Sequence, residues 1–233
     1  MKHIRDAGSR RARMVDRHIV ARGIRDARVL DAFRSVPREA FVPEALRRRA
    51  YDDAALPLGA GQTISQPYIV ALMLAALTLD GSEKVLDVGT GSGYAAALLA
   101  RLAREVYTVE RDAGLARAAA ERFADLGLTG IHTRVGDGTL GWPAEAPFDA
   151  IAVAAAVTEV PAALREQLHV GGRLVIPVGT GPEVQYLVRI VRESADRYSE
   201  ESLGAVRFVP LIAGEVDKMD NPIVSDAPRE IEG

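Results

Sequence analysis

Three acids and one glycine-rich turn carry most of the chemistry legible in this chain. Residues Val85–Tyr94 read VLDVGTGSGY: a short apolar strand, then Gly89, Gly91 and Gly93 separated by single residues, then the start of a helix. Glycines there let the backbone turn sharply and let a ligand lie against bare peptide N–H groups. Dinucleotide sites use G-x-G-x-x-G and seat a pyrophosphate on the helix N-terminus. Here the spacing is compressed, and Asp87 stands two residues before the first glycine. A carboxylate aimed into the loop repels a pyrophosphate and suits a ligand bearing an ammonium or sulfonium group. Glu110 ends the next apolar run, 23 residues beyond Asp87, where an acid accepts hydrogen bonds from ribose hydroxyls. Asp137 follows the third run in VGDG, where a carboxylate can accept from an adenine amino group. Each acid alone reads equally as a helix cap or a loop anion. Three of them at the carboxyl ends of three successive strands lie on the edge where open α/β sheets bind ligands. A nicotinamide oxidoreductase is disfavoured by Asp87 and the glycine spacing. A non-catalytic nucleotide-binding module stays open on the loop alone.

A second motif lies just upstream, where Gly61–Leu74 reads GQTISQPYIVALML. Ser65 precedes Gln66–Pro67. On local chemistry it reads as the start of a helix, its hydroxyl capping orphan N–H groups and proline occupying the first turn. The chain has no cysteine, which excludes disulfides, thiolate nucleophiles and cysteine metal sites. Of four histidines, His132 falls in a predicted strand and His169 before a glycine pair, and both read as structural.

The elements that must position these residues alternate. From Glu83 onward, apolar runs fall at Val85–Val88, Val106–Val109, Ile131–Val135, Ala150–Ala154 and Leu174–Val178. Alanine-rich helical segments separate the earlier ones at Tyr94–Ala103 and Gly114–Leu126. This alternation predicts a parallel sheet covered on both faces. Val184–Val191 and Ala205–Ile212 read as two strands joined by a polar loop, an antiparallel pair. Upstream, helical spacing recurs in Met14, Ile19, Val20 and Ile24, and again in Val29, Leu30, Phe33 and Val36. Gly23 and Pro37 are stop signals, further helix is predicted over Glu39–Ala50, and an apolar helix follows TISQP to about Leu79. The expected organisation is an N-terminal helical lobe over 1–80, a core over 81–213 and a flexible tail over 214–233.

With 233 residues and 48% apolar content, the chain can build one sizeable core. Net charge is −3, yet residues 1–50 hold 14 Lys/Arg against 6 Asp/Glu. A basic end can mark a nucleic-acid partner. These arginines are interleaved with acids and lack an aromatic stacking platform, so they read as a solvated helical face. The longest apolar run, Ile69–Leu79, is shorter than the roughly 20 residues that span a bilayer. The charged start lacks the apolar stretch of a secretory signal, so a cytoplasmic protein is expected.

The sequence resembles the protein-L-isoaspartate O-methyltransferase family. The resemblance runs from MVDRHIVARGIRDARVL and VPREAFVPEAL through AYDDAALPLGAGQTISQPYIVALM, VLDVGTGSGY, VYTVER and FDAIAVAAA to LHVGGRLVIPVG and VRFVPLIAG, about Met14–Gly214. QTISQP together with VLDVGTGSGY is what makes it specific. It implies an α/β class I S-adenosylmethionine-dependent methyltransferase (Rossmann-like) fold: a mostly parallel sheet, an antiparallel C-terminal pair and the helical lobe. The implied reaction methylates the α-carboxylate of L-isoaspartyl residues in damaged proteins and peptides, with S-adenosylmethionine as cofactor and S-adenosylhomocysteine as product. The ester then closes to a succinimide, whose hydrolysis returns some normal aspartate; some D-aspartyl residues are also accepted in the family. By similarity Ser65 is the active-site serine, and Ile64, Gln66, Asp87, Gly89, Thr90, Gly91, Glu110, Asp137 and Gly138 are cofactor positions. AVAAAVTEVP departs from the family at Val157–Thr158, where a proline commonly follows the alanines. The ending GEVDKMDNPIVSDAPREIEG has no recognised counterpart.

The chemistry fits these residues. A carboxylate acceptor with a pKa of ~4 is already ionised at neutral pH and needs neither general base nor metal. Ser65 is expected to orient the acceptor and not to act as a nucleophile, since no His–Asp arrangement activates it. Substrate recognition is expected through backbone-like hydrogen bonds, with Val206–Leu211 as a candidate edge. The expected partners are isoaspartyl proteins and peptides, without nucleic acid, membrane or metal, and the expected state is a monomer. The rival reading is a methyltransferase of the same fold acting on a small molecule or RNA.

Overall fold

The structure is a computed structural model and describes residues 2–59, 61–181, 184–214 and 216. Apart from Gly214 and Val216, the expected tail lies outside the described residues.

The chain opens with α1 (Lys2–Met14), which passes into a π-helical turn, Val15–Ile19, and a 3-10 turn, Val20–Arg22. Gly23, at φ +96°, ends this run in the left-handed region that favours glycine. Helix α2 (Ala27–Ser35) starts on Asp26, whose side chain accepts from the N–H groups of Arg28 and Val29. The helix predicted over Glu39–Ala50 is instead two 3-10 turns, Arg38–Phe41 and Glu44–Arg49. Pro43 stands between them; it lacks an N–H and pushes Val42 into extended backbone. A short hairpin follows, β1 (Leu56–Gly59) with β2 (Gln62–Ile64), leading into α3 (Pro67–Ala76).

The remainder is one seven-stranded sheet. Its strands are β3 (Lys84–Val88), β4 (Glu105–Glu110), β5 (Ile131–Val135), β6 (Phe148–Val153), β7 (Leu168–Val178), β8 (Gln185–Arg192) and β9 (Tyr198–Val206). Helices α4 (Tyr94–Leu99), α5 (Ala113–Asp125) and α6 (Ala162–Glu166) lie in the crossovers. Strand order is β5-β4-β3-β6-β7-β8-β9. Pairing is parallel from β5 to β7 and antiparallel from β7 to β9. The predicted parallel runs are all present. They are legible because both faces are covered, which makes such strands continuously apolar.

The second strand of the antiparallel pair is displaced from its predicted place. It is β9, not Ala205–Ile212. β9 is an edge strand with mostly exposed polar residues, so it carries no apolar signal. Beyond Val206 the backbone leaves β9, and Pro210 forms an isolated bridge with Ala156, just past β6.

Two apolar clusters flank the sheet. One joins Phe33, Phe41, Leu74, Tyr94 and Leu98 and so continues from the helical lobe onto β3 and β4; the other joins Leu86, Val88, Phe148, Ile151, Leu168 and Ile176. β3 sits between β4, reached by one crossover, and β6, reached by a later one. That is the switch point of the sheet, where a crevice opens at the strands' carboxyl ends. Among the described residues no helix is long and apolar enough to cross a membrane.

Candidate active site

The glycine turn is fixed from both sides. Gly89 N–H donates to the Val109 carbonyl at 2.9 Å, tying the turn to β4. Gly93 has φ +88°, and a Cβ there would stand 2.7 Å from the Phe123 ring and 3.2 Å from Ala119 Cβ. Only glycine lets α5 pack this closely against the start of α4.

Asp87, at the end of β3, is fully buried. Its Oδ2 accepts from Thr108 Oγ1 at 2.8 Å, and Thr108 is in turn hydrogen-bonded to Thr90. Among the described residues its Oδ1 has no partner. Burial raises the Asp87 pKa to about 7, against the Thr108 hydrogen bond and with a smaller push from the Glu110 charge. A buried carboxylate oxygen with nothing to accept from is costly unless a ligand supplies a donor or a positive charge. Glu110 is also buried. Its Oε2 accepts from Gly91 N at 2.8 Å and its Oε1 from Asp112 N at 3.1 Å, so it holds the glycine turn in shape.

Asp87, Gly89, Thr90, Gly91, Glu110 and Gly138 all line one cavity of about 1010 Å³, together with Ile64, Ser65 and Gln66. The structure therefore brings the two sequence motifs onto a single space. Asp137 is the exception among the residues singled out: it is not part of the lining. It caps the 3-10 turn Gly138–Leu140, with Oδ1 accepting from Thr139 N and Oγ1 and Oδ2 accepting from Gly214 N at 2.8 Å. Burial alone would raise its pKa, but these donors hold it below the usual carboxylate range.

Ser65 does not cap α3. The cap position is Gln66, without a side-chain cap bond, and among the described residues the Ser65 hydroxyl makes no hydrogen bond. The Gln66 amide donates to the Asp53 carbonyl at 3.2 Å. The Ser65 carbonyl accepts from Arg38 Nη2 at 2.9 Å.

The facing wall is Ala205–Ile212, the stretch that leaves β9. Phe208 is clamped by Gln185, whose Nε2 donates to the Phe208 carbonyl at 3.1 Å and whose Oε1 accepts from Phe208 N at 2.7 Å. Ala156 N donates to Val209 O and Leu211 N to Ala156 O. At the departure from the family pattern, Val157 N–H donates to the Pro177 carbonyl at 3.0 Å, a bond no proline could make.

Thr108, Gln185 and Arg38 are the site-shaping residues that sequence reasoning missed. Thr108 and Gln185 stand in predicted strands without a motif. Arg38 offered one signal, a single arginine inside the otherwise apolar-flanked SVPREAF.

The buried, unsatisfied Asp87 beside the tight glycine turn fits S-adenosylmethionine, which carries both an ammonium and a sulfonium. The comparisons with known proteins agree. A family model described as protein-L-isoaspartate(D-aspartate) O-methyltransferase (PCMT) matches residues 9–216. Protein-L-isoaspartate O-methyltransferase 1 of Geotalea uraniireducens is 56% identical over 209 residues, 90% of this chain and 95% of that one. Protein-L-isoaspartate O-methyltransferase of Methylorubrum extorquens is 57% identical, over 90% and 91%. Among solved structures, a putative protein-L-isoaspartate O-methyltransferase from Plasmodium falciparum in complex with S-adenosyl-L-homocysteine superposes with a TM-score of 0.75 at 26% identity, covering 87% of this chain and 98% of that one. A protein-L-isoaspartate O-methyltransferase structure gives 0.76 at 29% identity, over 84% of this chain and 63% of that one. With its two motifs lining one cavity and its sequence matched across most of its length, the chain belongs to the protein-L-isoaspartate(D-aspartate) O-methyltransferase family.

Proposed function

We propose that the glycine turn, Asp87 and Glu110 hold S-adenosylmethionine at the switch point of the sheet, while the Ser65 hydroxyl orients the acceptor carboxylate beside it. The enzyme transfers a methyl group to the α-carboxylate of L-isoaspartyl residues and so initiates their repair. When bound, the cofactor supplies an electrophilic methyl group on a sulfonium. The observation that carries the assignment is the orphaned Oδ1 of buried Asp87, lining the same cavity as Ser65.

The acceptor arrives ionised, so the chain has no proton to remove from it. Its task is alignment at near-attack distance. Ser65 suits that task because its hydroxyl is uncommitted and its carbonyl is pinned from behind. The wall Ala205–Ile212 lines the same cavity as Ser65 and is the candidate edge for a main-chain-like substrate. Asp137 and Gly138 are assigned to the adenine end; Asp137 would act there through the turn it caps. We further infer a cytoplasmic monomer without nucleic-acid or membrane partners; against a nucleic-acid partner, the arginines of residues 1–50 are interleaved with acids.

Ser65→Ala tests the assignment. The expected result is a kcat/KM for an isoaspartyl peptide lower by about tenfold, a lost hydrogen bond to a charged group, with cofactor affinity by calorimetry nearly intact. An unchanged kcat/KM would remove Ser65 from the reaction.

A further inference from the structure

Arg38 is the largest fully buried side chain in the structure, with 0% exposure. Among the described residues it makes no ion pair: its Nε donates to the Ala50 carbonyl at 2.8 Å, its Nη2 to the Ser65 carbonyl at 2.9 Å, and its Nη1 has no partner. Its guanidinium lies 4.9 Å from the centroid of the Tyr94 ring. Ser65 and Tyr94 both line the cavity, so a buried, unneutralised cation stands one residue behind it. Guanidinium stays protonated even when burial lowers its pKa, as it does here. Burying such a charge without a carboxylate is costly, and a hydrophobic side chain would fill the volume at less expense.

We propose that Arg38 is a positioning residue for the acceptor: it fixes the Ser65 turn through the Ser65 carbonyl, and its positive charge favours an anionic acceptor at that turn. This rests on the reading that the Ser65 turn receives the substrate carboxylate. The charge balance of the cavity gives the reason. Asp87 and Glu110 make the cofactor end negative, which suits a cation and repels a carboxylate. A second anion can join only where the potential changes sign. The groups around Arg38 leave that sign intact. Tyr94 on α4 is a phenol whose pKa burial pushes up to about 12, so it is neutral. Tyr51, after the Glu44–Arg49 turn, is pushed higher still by burial and by its hydrogen bond to Glu39. Glu39 keeps its negative charge while accepting from Tyr51, and Arg11 on α1 opposes it with a positive charge that acts on both tyrosines. Behind a low-dielectric wall a charge acts more strongly than it would in water.

Arg38→Met and Arg38→Lys in the full chain test this, alongside Ser65→Ala. For Arg38→Met, the peptide KM should rise by about tenfold while the cofactor Kd changes by less than about twofold. The acid limb of its kcat–pH profile should move to higher pH, because the bound carboxylate loses the cation that keeps it ionised. Arg38→Lys keeps the charge but cannot bridge two carbonyls; it should restore the acid limb and recover part of the KM. If the methionine variant fails to fold, the lysine variant still decides by its unmoved limb and raised KM. An unchanged peptide KM in the Arg38 variants, an unmoved acid limb in Arg38→Met, or a cofactor Kd that worsens in parallel would overturn the proposal. An unchanged kcat/KM in Ser65→Ala would instead overturn the reading of the turn on which it rests.

Discussion

The two sides of the cavity are built on different principles. The cofactor side is local: β3, the glycine turn and α4 follow one another within Lys84–Leu99, and most of its geometry comes from backbone that only glycine adopts. The acceptor side is assembled from afar. The Ser65 turn and the Ala205–Ile212 wall are some 140 residues apart; buried Arg38 ties down the first, and buried Gln185, with backbone bonds to Ala156, the second. A local site tolerates little change in its own backbone. A distant one should be weakened by substitutions that touch neither ligand.

The largest effect is expected on the local side. Gly93→Val combines a left-handed φ with a Cβ clash against Phe123, and should destabilise the fold by about 3 kcal/mol or more in denaturant unfolding. Asp87→Asn comes next, with two effects of opposite sign. Cofactor binding should weaken by about 1.5–3 kcal/mol in calorimetry, while the ligand-free protein becomes no less stable, since an unsatisfied buried carboxylate has been neutralised. The pH dependence follows from the raised pKa of Asp87. Its contribution to the stability of the ligand-free protein is present below the unfolded carboxylate value and is lost as pH rises through about 7. Cofactor affinity should run the other way, improving as pH rises through about 7 and Asp87 ionises. Asp87→Asn should flatten both curves; curves unchanged from the wild type would show that another group titrates.

On the distant side, Gln185→Ala removes both bonds to Phe208 and should cost about 1–2 kcal/mol of stability and raise the peptide KM. A fall in cofactor affinity of the same size would erase the distinction between the two sides. The smallest effect is expected for Ser65→Ala on thermal stability, under about 0.5 kcal/mol, because its hydroxyl caps nothing. A loss of about 1 kcal/mol would restore the capping role that Gln66 now displaces.

The same contrast decides what can be read from the sequence. The parallel strands and the glycine turn are legible because local pattern and structure coincide there; Asp87 and Glu110 stand on the cavity, Glu110 with its oxygens on the Gly91 and Asp112 N–H groups. Ala205–Ile212 was misread as a strand because its apolar residues face the cavity and not a neighbouring strand, while the true strand, β9, is polar and exposed. Arg38 was counted with a solvated basic face because charge composition says nothing about burial. The bonding of Asp137 is not legible locally: its oxygens accept from Thr139 in the turn that bears Gly138 and from Gly214 N, far along the chain.

The most direct test of the account is transfer of labelled methyl from S-adenosylmethionine to an isoaspartyl peptide and to its normal aspartyl twin. Label is expected on the isoaspartyl peptide alone, released as methanol in mild base as an ester requires. Equal labelling of both peptides, or of neither despite cofactor binding, would contradict it.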